Sequence, residues 1–332
     1  MADSLYRVIL GRRPTLAEKQ FTAAVMQIPG QFESRLKDMM YSHEFKVMKL
    51  PGLIAESTQN WSGNNVFFLH IPKTAGTSVR IALIDAVGAP AFELYSRDQK
   101  MTDIVRKSEK HFWPLIVGHE NISFFPKNYS GITIFRESRS RVLSLYRQHS
   151  RDAIIDDPSE IDQPIFQEMR MKALKVFSTP FGDWLIRPNL VTSMDFFIPS
   201  NMFGPKGLKS QEFKTYVDDL ESHRVEELLN ESLARFTHAA WVHDEPAILR
   251  AISGISGTEI DVLPRENVYP NLDGYTPKIL DKDALAKLNA IQEKEAVLFK
   301  VAHEHGLVPL LSKSEADDLF EITAKRLGFT FA

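Results

Sequence analysis

HIPKTAGTSVR, residues 70–80, stands between a short apolar stretch at residues 66–69 (VFFL) and a longer one that ends near residue 87. This order predicts a buried strand, then a loop that carries one lysine, and then a helix that begins near residue 76. The first N–H groups of a helix have no partner within the helix, and the helix dipole favours negative charge there. The loop therefore predicts an anion site, although an ordinary capped helix start with a loop lysine is the alternative.

This loop differs from the common nucleotide phosphate loop. That motif, G-x-x-x-x-G-K-[ST], has its lysine after the second glycine, whereas Lys73 here precedes Gly76. Gly76 would let a ligand approach the backbone closely, Thr77 and Ser78 offer hydroxyl donors, and Lys73 adds a positive charge. The residue types thus suit an anion even though the order of the motif is unusual.

Two further apolar stretches predict buried strands, at residues 115–119 (LIVGH) and 132–136 (ITIFR). Strands that alternate with helices predict an α/β fold in which a central parallel sheet is covered on both faces. Ligands of such sheets bind at the carboxyl ends of the strands. We therefore expect His119 and Arg136 to lie at the same sheet edge as the loop of residues 70–80.

The pattern predicts four parts of the chain: a small helical N-terminal module (1–50), a linker (51–64), a main domain (65–310) and a helical C-terminal tail (311–332). Thr15 is positioned to cap a helix of the N-terminal module. Apolar stripes predict one helix across residues 220–236 and another across residues 285–302, with Asp281 as the cap of the second.

The composition excludes several classes of site. The chain has 332 residues, a formal net charge of −3 and no cysteine, so disulfides, thiolate zinc sites and a cysteine nucleophile are excluded. The acidic balance disfavours nucleic acid as the main partner. The N-terminus lacks the pattern of a signal peptide, and no apolar run reaches the ~20 residues that span a bilayer. The expected location is the cytoplasm of a bacterial cell.

A second basic segment, FRESRSRVLSLYRQ at residues 135–148, also leads from a predicted strand into a predicted helix at about 139–151. Ser138 is expected to cap this helix, which would provide a second positive helix terminus beside Arg136. Several further arginines make the segment basic, and their alternative interpretation is a solvated helix face. They are Arg139, Arg141, Arg147 and Arg151.

Together, FFLHIPKTAGTS and FRESRSRVLSLY resemble the two cofactor motifs of sulfotransferases of the heparan sulfate 2-O-sulfotransferase-like class. Those enzymes use 3′-phosphoadenosine 5′-phosphosulfate. Their second motif is usually R-D-P-x-x-R-x-x-S-x-Y, and Arg136, Arg141, Ser144 and Tyr146 keep its spacing. Glu and Ser replace the usual Asp and Pro at residues 137–138. The resemblance covers about residues 65–307, and only these two motifs are sharp.

The resemblance implies a P-loop-like three-layer fold and a bound donor nucleotide. It assigns the 5′-phosphosulfate to Lys73, Thr74, Ala75, Gly76, Thr77 and Ser78. It assigns the 3′-phosphate to Arg136 and Ser144, and a loop with Arg265 and Asn267 to closure over the nucleotide. The acceptor implied is a hydroxyl group, with a saccharide as the expected molecule.

Sulfuryl transfer requires a base for the acceptor proton and a cation for the leaving oxygen. Lys73 is the natural cation. His119 is the predicted base, because it ends a strand at the expected edge, titrates near pH ~6.5 in model peptides and matches the family's catalytic histidine. Glu120 is the alternative base, and a strand-end histidine bonded to the backbone is the alternative role for His119. No metal is expected.

Two other functions stay open. One is a nucleotide-dependent kinase or NTPase with an atypical phosphate loop. The other is a non-catalytic polysaccharide-assembly protein, because LYRVILGRRPT…SHEF in the N-terminal module resembles small helical modules of bacterial surface-polysaccharide proteins. That module is otherwise a helical extension packed on the main domain.

Overall fold

The computed structural model describes residues 5–7, 9, 13–25, 39, 64–88, 91–94, 113–151, 174–176, 178–186, 190–199, 211–264 and 278–332. Its strands are β1 (Val66–Leu69), β2 (Ala91–Leu94), β3 (Leu115–Gly118), β4 (Ser130–Phe135), β5 (Phe236–Trp241), β6 (Lys278–Leu280) and β7 (Phe329–Phe331). Its helices are α1 (Leu16–Val25), α2 (Gly76–Val87), α3 (Ser138–Arg151), α4 (Phe181–Leu185), α5 (Gln211–Asp218), α6 (Ser222–Leu233), α7 (Glu245–Ser256), α8 (Lys282–Glu304) and α9 (Lys313–Arg326).

The central sheet is parallel, and its strand order is β2-β3-β1-β4-β5. The strand β1 therefore lies between β3 and β4, and Leu69 is in register with Gly118 on one side and Thr133 on the other. The three strand ends that carry the sequence motifs are thus neighbours. The predicted α/β class with a central parallel sheet is confirmed.

Helices cover both faces of this sheet, because alternate residues of each strand point to opposite sides. In β1, Val66 and Phe68 pack with α2 and α7, whereas Phe67 and Leu69 pack with α6 and α8. All four side chains are almost completely buried. Burial of a large apolar side chain stabilises the fold by roughly 1.5–3 kcal/mol, so this continuous apolar strand fixes the position of the loop that follows it.

Two of the three predicted helix caps, Thr15 and Asp281, are confirmed. The hydroxyl of Thr15 accepts a hydrogen bond from the N–H of Glu18 at 3.3 Å, and the Glu18 carboxylate accepts one in return from the N–H of Thr15 at 2.7 Å. Asp281 accepts from the N–H of Ala284 at 2.8 Å. A carboxylate or hydroxyl at these positions satisfies a helix N–H that has no partner within the helix.

The single helix predicted across residues 220–236 is wrong. The helix α6 ends at Leu233, and Phe236 begins β5, which pairs with β4. Phe236 has the spacing of the helical stripe, but its buried side chain belongs to the first residue of the strand β5. The strand β5 is an edge strand whose alternation is weak, so its sequence carries little period-two signal.

The C-terminal segment packs onto the main domain. The helix α9 contacts α3, and β7 pairs with β6 in a separate two-stranded parallel sheet. Phe320, Leu327 and Phe329 share an apolar cluster with Tyr146 of α3. The tail thus lies directly on the helix that carries the second motif. Within the described ranges, no helix is both long enough and apolar enough to cross a membrane.

Candidate transfer site at the carboxyl edge of the sheet

The loop between β1 and α2 has an unusual backbone. Lys73 and Ala75 have positive φ angles of 74° and 58°, although neither is a glycine. Left-handed backbone at a residue with a Cβ costs of the order of 1–3 kcal/mol, and such residues cluster at functional sites. Between them, the hydroxyl of Thr74 donates to the carbonyl of Ile71 at 2.8 Å and is buried. The Thr74 side chain therefore stabilises the loop.

In the part of the chain that the structure describes, the start of α2 has no side-chain cap at its N-cap residue, Ala75. Thr77 and Ser78 in the first turn are half-buried, and Lys73 before the helix is half-buried as well. An uncapped helix start with a flanking lysine has the electrostatics that a phosphate or sulfate group requires.

Gly76 is required by a neighbouring side chain. A Cβ added at Gly76 would lie 1.6 Å from Nε2 of His70, so the imidazole ring occupies the space where any other residue would project. The sequence offered close approach of a ligand as the reason for this glycine. The structure gives a second reason, because His70 packs between the strand end and the first turn of α2.

His119 and His70 form a pair at the ends of adjacent strands. Nδ1 of His119 lies 2.5 Å from the backbone oxygen of His70, and the two ring centroids are 3.9 Å apart. A carbonyl oxygen can only accept, so Nδ1 of His119 carries the hydrogen and the lone pair of the neutral ring is on Nε2. This hydrogen bond is the backbone contact that the alternative role of His119 expects, and it also leaves the ring in the tautomer that a general base needs.

His70 itself stays neutral near physiological pH. Burial lowers its pKa well below 6.5, and the charges of Arg80, Lys73 and, when it is protonated, His119 lower it further. A second imidazolium beside His119 would oppose proton uptake by His119. The neutral ring of His70 instead packs against the ring of His119 without adding charge.

Arg136 joins the two sequence motifs. Its side chain is 9% exposed, and Nη1 donates to the carbonyl oxygen of Lys73 at 3.1 Å. The guanidinium therefore holds the backbone of the loop after β1 from the end of β4. Because β1 lies between β3 and β4, His119 contacts this loop from one side and Arg136 from the other.

The start of α3 differs from the prediction. Glu137, and not Ser138, caps this helix: its carboxylate accepts from the N–H groups of Arg139 at 3.1 Å and Ser140 at 2.7 Å. The hydroxyl of Ser138 points inward and donates to Glu295 at 2.6 Å. The expected second positive helix terminus is therefore already neutralised by a carboxylate. Any anion bound here would depend on the guanidinium of Arg136.

The interpretation of the α3 arginines as a solvated face is wrong for Arg139, Arg141 and Arg147, which are buried, and the side chain of Arg151 lies outside the described residues. Arg141 donates to the carbonyl of Val191 at 2.8 Å and lies 3.5 Å from the carboxylate of Glu295. These contacts connect α3 to distant parts of the chain. Ser144 is 1% exposed within the same helix, and its assignment to a 3′-phosphate stays a prediction.

Glu120 is buried directly after His119. Its side chain is 1% exposed, and neither carboxyl oxygen has a hydrogen-bond partner among the described residues. Burial raises its pKa to about 8, so the carboxyl is mainly protonated at neutral pH. A protonated carboxyl cannot accept a proton, which makes Glu120 a weaker choice of base than His119 at that pH.

The raised pKa of Glu120 predicts a pH-dependent stability. The native protein keeps this proton between pH 4.5 and about 8 whereas the unfolded chain releases it, so stability should fall as pH rises through that window. Glu120→Gln should remove a slope of at most about 1.4 kcal/mol per pH unit. Denaturant unfolding of both proteins between pH 5 and 9 measures this. Glu321→Gln, at an exposed position, is the control and should keep the wild-type slope. If Glu120→Gln also kept the wild-type slope of unfolding free energy against pH, the raised pKa of Glu120 would be contradicted.

Two predicted binding residues, Arg265 and Asn267, lie outside the described residues. The described side chains contain no group of three His, Asp or Glu residues that could hold a metal ion. No family model, curated protein or solved structure matches the chain.

Proposed function

We propose that the chain is a sulfotransferase that moves the sulfuryl group of 3′-phosphoadenosine 5′-phosphosulfate to an acceptor hydroxyl, with a saccharide as the expected acceptor. The observation that carries this proposal is the hydrogen bond from Arg136 to the carbonyl of Lys73 at 3.1 Å. It brings together two motifs that are 63 residues apart in the chain and that resemble the two halves of one nucleotide site.

The local backbone supports the same proposal. The uncapped start of α2, the left-handed Lys73 and Ala75, and the half-buried side chains of Thr77 and Ser78 fit a tetrahedral anion. The donor's 5′-phosphosulfate would bind there, and its 3′-phosphate would bind Arg136 at the next strand end. A parallel sheet with helices on both faces is compatible with the P-loop-like three-layer fold that the resemblance implies.

The chemistry follows from the same residues. Nε2 of His119 accepts the proton of the acceptor hydroxyl while the hydroxyl oxygen forms its bond to sulfur. The bond between sulfur and the bridging phosphate oxygen breaks, and Lys73 stabilises the negative charge that develops on that oxygen. The products are the sulfated acceptor, 3′,5′-adenosine bisphosphate and a protonated His119, which returns its proton to solvent.

The binding test uses the full chain and two ligands. Calorimetry should detect 3′,5′-adenosine bisphosphate at micromolar concentrations in the presence of EDTA, and ATP with Mg²⁺ should bind more weakly. The opposite order would favour the kinase or NTPase reading. Binding of the bisphosphate without turnover on any hydroxyl acceptor would favour a non-catalytic assembly protein.

Arg136→Ala should weaken bisphosphate binding by more than ten-fold. A charge-assisted hydrogen bond to a phosphate contributes about 1.5–3 kcal/mol, which is a factor of ten or more in affinity. Calorimetry on Arg136→Ala and on the control Arg224→Ala measures this difference. Arg224 is a suitable control because its guanidinium pairs with Glu227 on an exposed helix face. Equal affinities of Arg136→Ala and the wild type would remove Arg136 from the site.

A further inference from the structure

The last turn of α9 lies against the guanidinium of Arg136. The hydroxyl oxygen of Thr323 is 3.5 Å from Nη2 of Arg136, and the Thr323 side chain is 7% exposed. This residue lies beyond the part of the sequence that carries the two motifs, 187 positions after Arg136. The C-terminal helix therefore supplies a polar group to the position where the 3′-phosphate is proposed to bind.

The position of Thr323 is fixed by contacts on either side of it along α9 and beyond. The carbonyl of Leu319 accepts from the hydroxyl of Ser140 at 3.1 Å, and the carboxylate of Asp317 pairs with Arg139 at 2.9 Å. After the helix, the carbonyl of Leu327 accepts from Nε of Arg147 at 2.6 Å. Thr323 is thus held beside α3 by a packed interface.

The contact between Thr323 and Arg136 is weaker than an ordinary hydrogen bond. Most N–H···O hydrogen bonds measure 2.7–3.2 Å, so a separation of 3.5 Å is long and weak. A hydroxyl can donate and accept, whereas a guanidinium can only donate. A phosphate oxygen could therefore accept from Nη2 of Arg136 and from the Thr323 hydroxyl at once.

Positive side chains compensate the negative C-terminal end of the α9 dipole near Thr323. Thr323 lies in the last turn, where helix carbonyls would repel a phosphate. The same turn carries Lys325 and Arg326, and the guanidinium of Arg147 binds the carbonyls of Leu327 and Gly328 just after it. The charge at this end of α9 thus does not exclude an anion beside Arg136.

We propose that Thr323 determines specificity for the 3′-phosphate, by donating its hydroxyl hydrogen to the phosphate that Arg136 binds. This inference rests on the proposed function and adds the C-terminal helix to the nucleotide site. It predicts that Thr323 affects the affinity of nucleotides with a 3′-phosphate and leaves the affinity of nucleotides without one unchanged.

The test compares two nucleotides on full-length variants. The wild type should bind 3′,5′-adenosine bisphosphate at least ten-fold more tightly than adenosine 5′-monophosphate. Thr323→Val keeps the shape but loses the hydroxyl, and it should weaken the bisphosphate by about ten-fold, the size of a lost hydrogen bond to a charged group. Thr323→Ser should retain the wild-type ratio. Thr330→Val, at an exposed position in β7, is the matched control.

The outcomes separate the two proposals. A wild type that does not prefer the bisphosphate overturns the 3′-phosphate site and the role of Thr323 together. A wild type that prefers it while Thr323→Val keeps the same preference overturns the role of Thr323 alone. Equal weakening of both nucleotides by Thr323→Val, with a lowered melting temperature, also overturns it, because a purely structural residue would act in that way.

Discussion

His119→Ala should reduce sulfuryl transfer by ~10²–10⁴-fold at neutral pH, the contribution of a general base, while nucleotide affinity stays near the wild-type value. The reason is the tautomer that the backbone imposes. Nδ1 of His119 is committed to the carbonyl of His70 at 2.5 Å, so Nε2 carries the lone pair that accepts the acceptor's proton. Single-turnover transfer and calorimetry on the same preparation measure both quantities.

The variant His119→Asn distinguishes the role of His119 as a base from its hydrogen bond to the backbone of His70. An asparagine amide can still donate to the carbonyl of His70 but cannot accept the proton, so this variant should keep the wild-type melting temperature and lose turnover as fully as His119→Ala. His303→Asn is the matched control, since Nδ1 of His303 also bonds a backbone carbonyl, that of Val308, at 3.1 Å. Normal turnover by His119→Asn would refute the base assignment, and Glu120 would become the residue to test.

The sequence predicted the parts of the fold that depend on local patterns. Local apolar runs and their spacing are sufficient to predict three elements: the strand β1, the helix α2 from Gly76 to Val87 and the strand before Arg136. Parallel strands place their carboxyl ends at one edge, so the meeting of Lys73, His119 and Arg136 at that edge follows once the strands are assigned.

Predictions from the sequence were wrong where residues distant in the chain determine the environment of a side chain. The alternative interpretation of the α3 arginines as a solvated face rests on the rule that charged side chains are rarely buried alone. Their partners are Glu295, Asp317 and the carbonyl of Leu327, all more than 150 residues further along the chain, and no local pattern marks these residues as neighbours. The contact of Thr323 with Arg136 is of the same kind.

One wrong prediction, the cap of α3, and one incomplete explanation, that of Gly76, have local causes. Both Glu137 and Ser138 are acceptable cap residues, and the choice depends on the residue at which the helix begins, which periodicity does not fix to one position. A glycine at residue 76 is compatible with a close ligand and with a close side chain, and only the fold reveals that the ring of His70 lies there. The histidine six positions before the glycine is a signal that becomes meaningful once the turn is known.

Lys73→Gly should abolish most turnover, by ~10²–10³-fold, the size expected when a donor to the developing negative charge is removed. It should also weaken binding of the phosphosulfate donor by about ten-fold or more, because the charge contacts the ground state as well as the leaving oxygen. Single-turnover transfer and donor titration test these two effects together.

Lys73→Gly also distinguishes the effect of the lysine charge on turnover from the effect of the left-handed backbone on stability. Lys73 has a φ angle of 74°, which glycine adopts without strain, so Lys73→Gly should not lower the melting temperature, whereas Lys73→Ala keeps the strained backbone and gains no such relief. Lys127→Gly, at an exposed lysine of another loop, controls for the loss of one positive charge. A stable Lys73→Gly protein with wild-type turnover would show that the lysine has no part in the transfer. Loss of turnover with unchanged stability would instead mean that the function of the strained backbone at residue 73 is to position the Lys73 ammonium group.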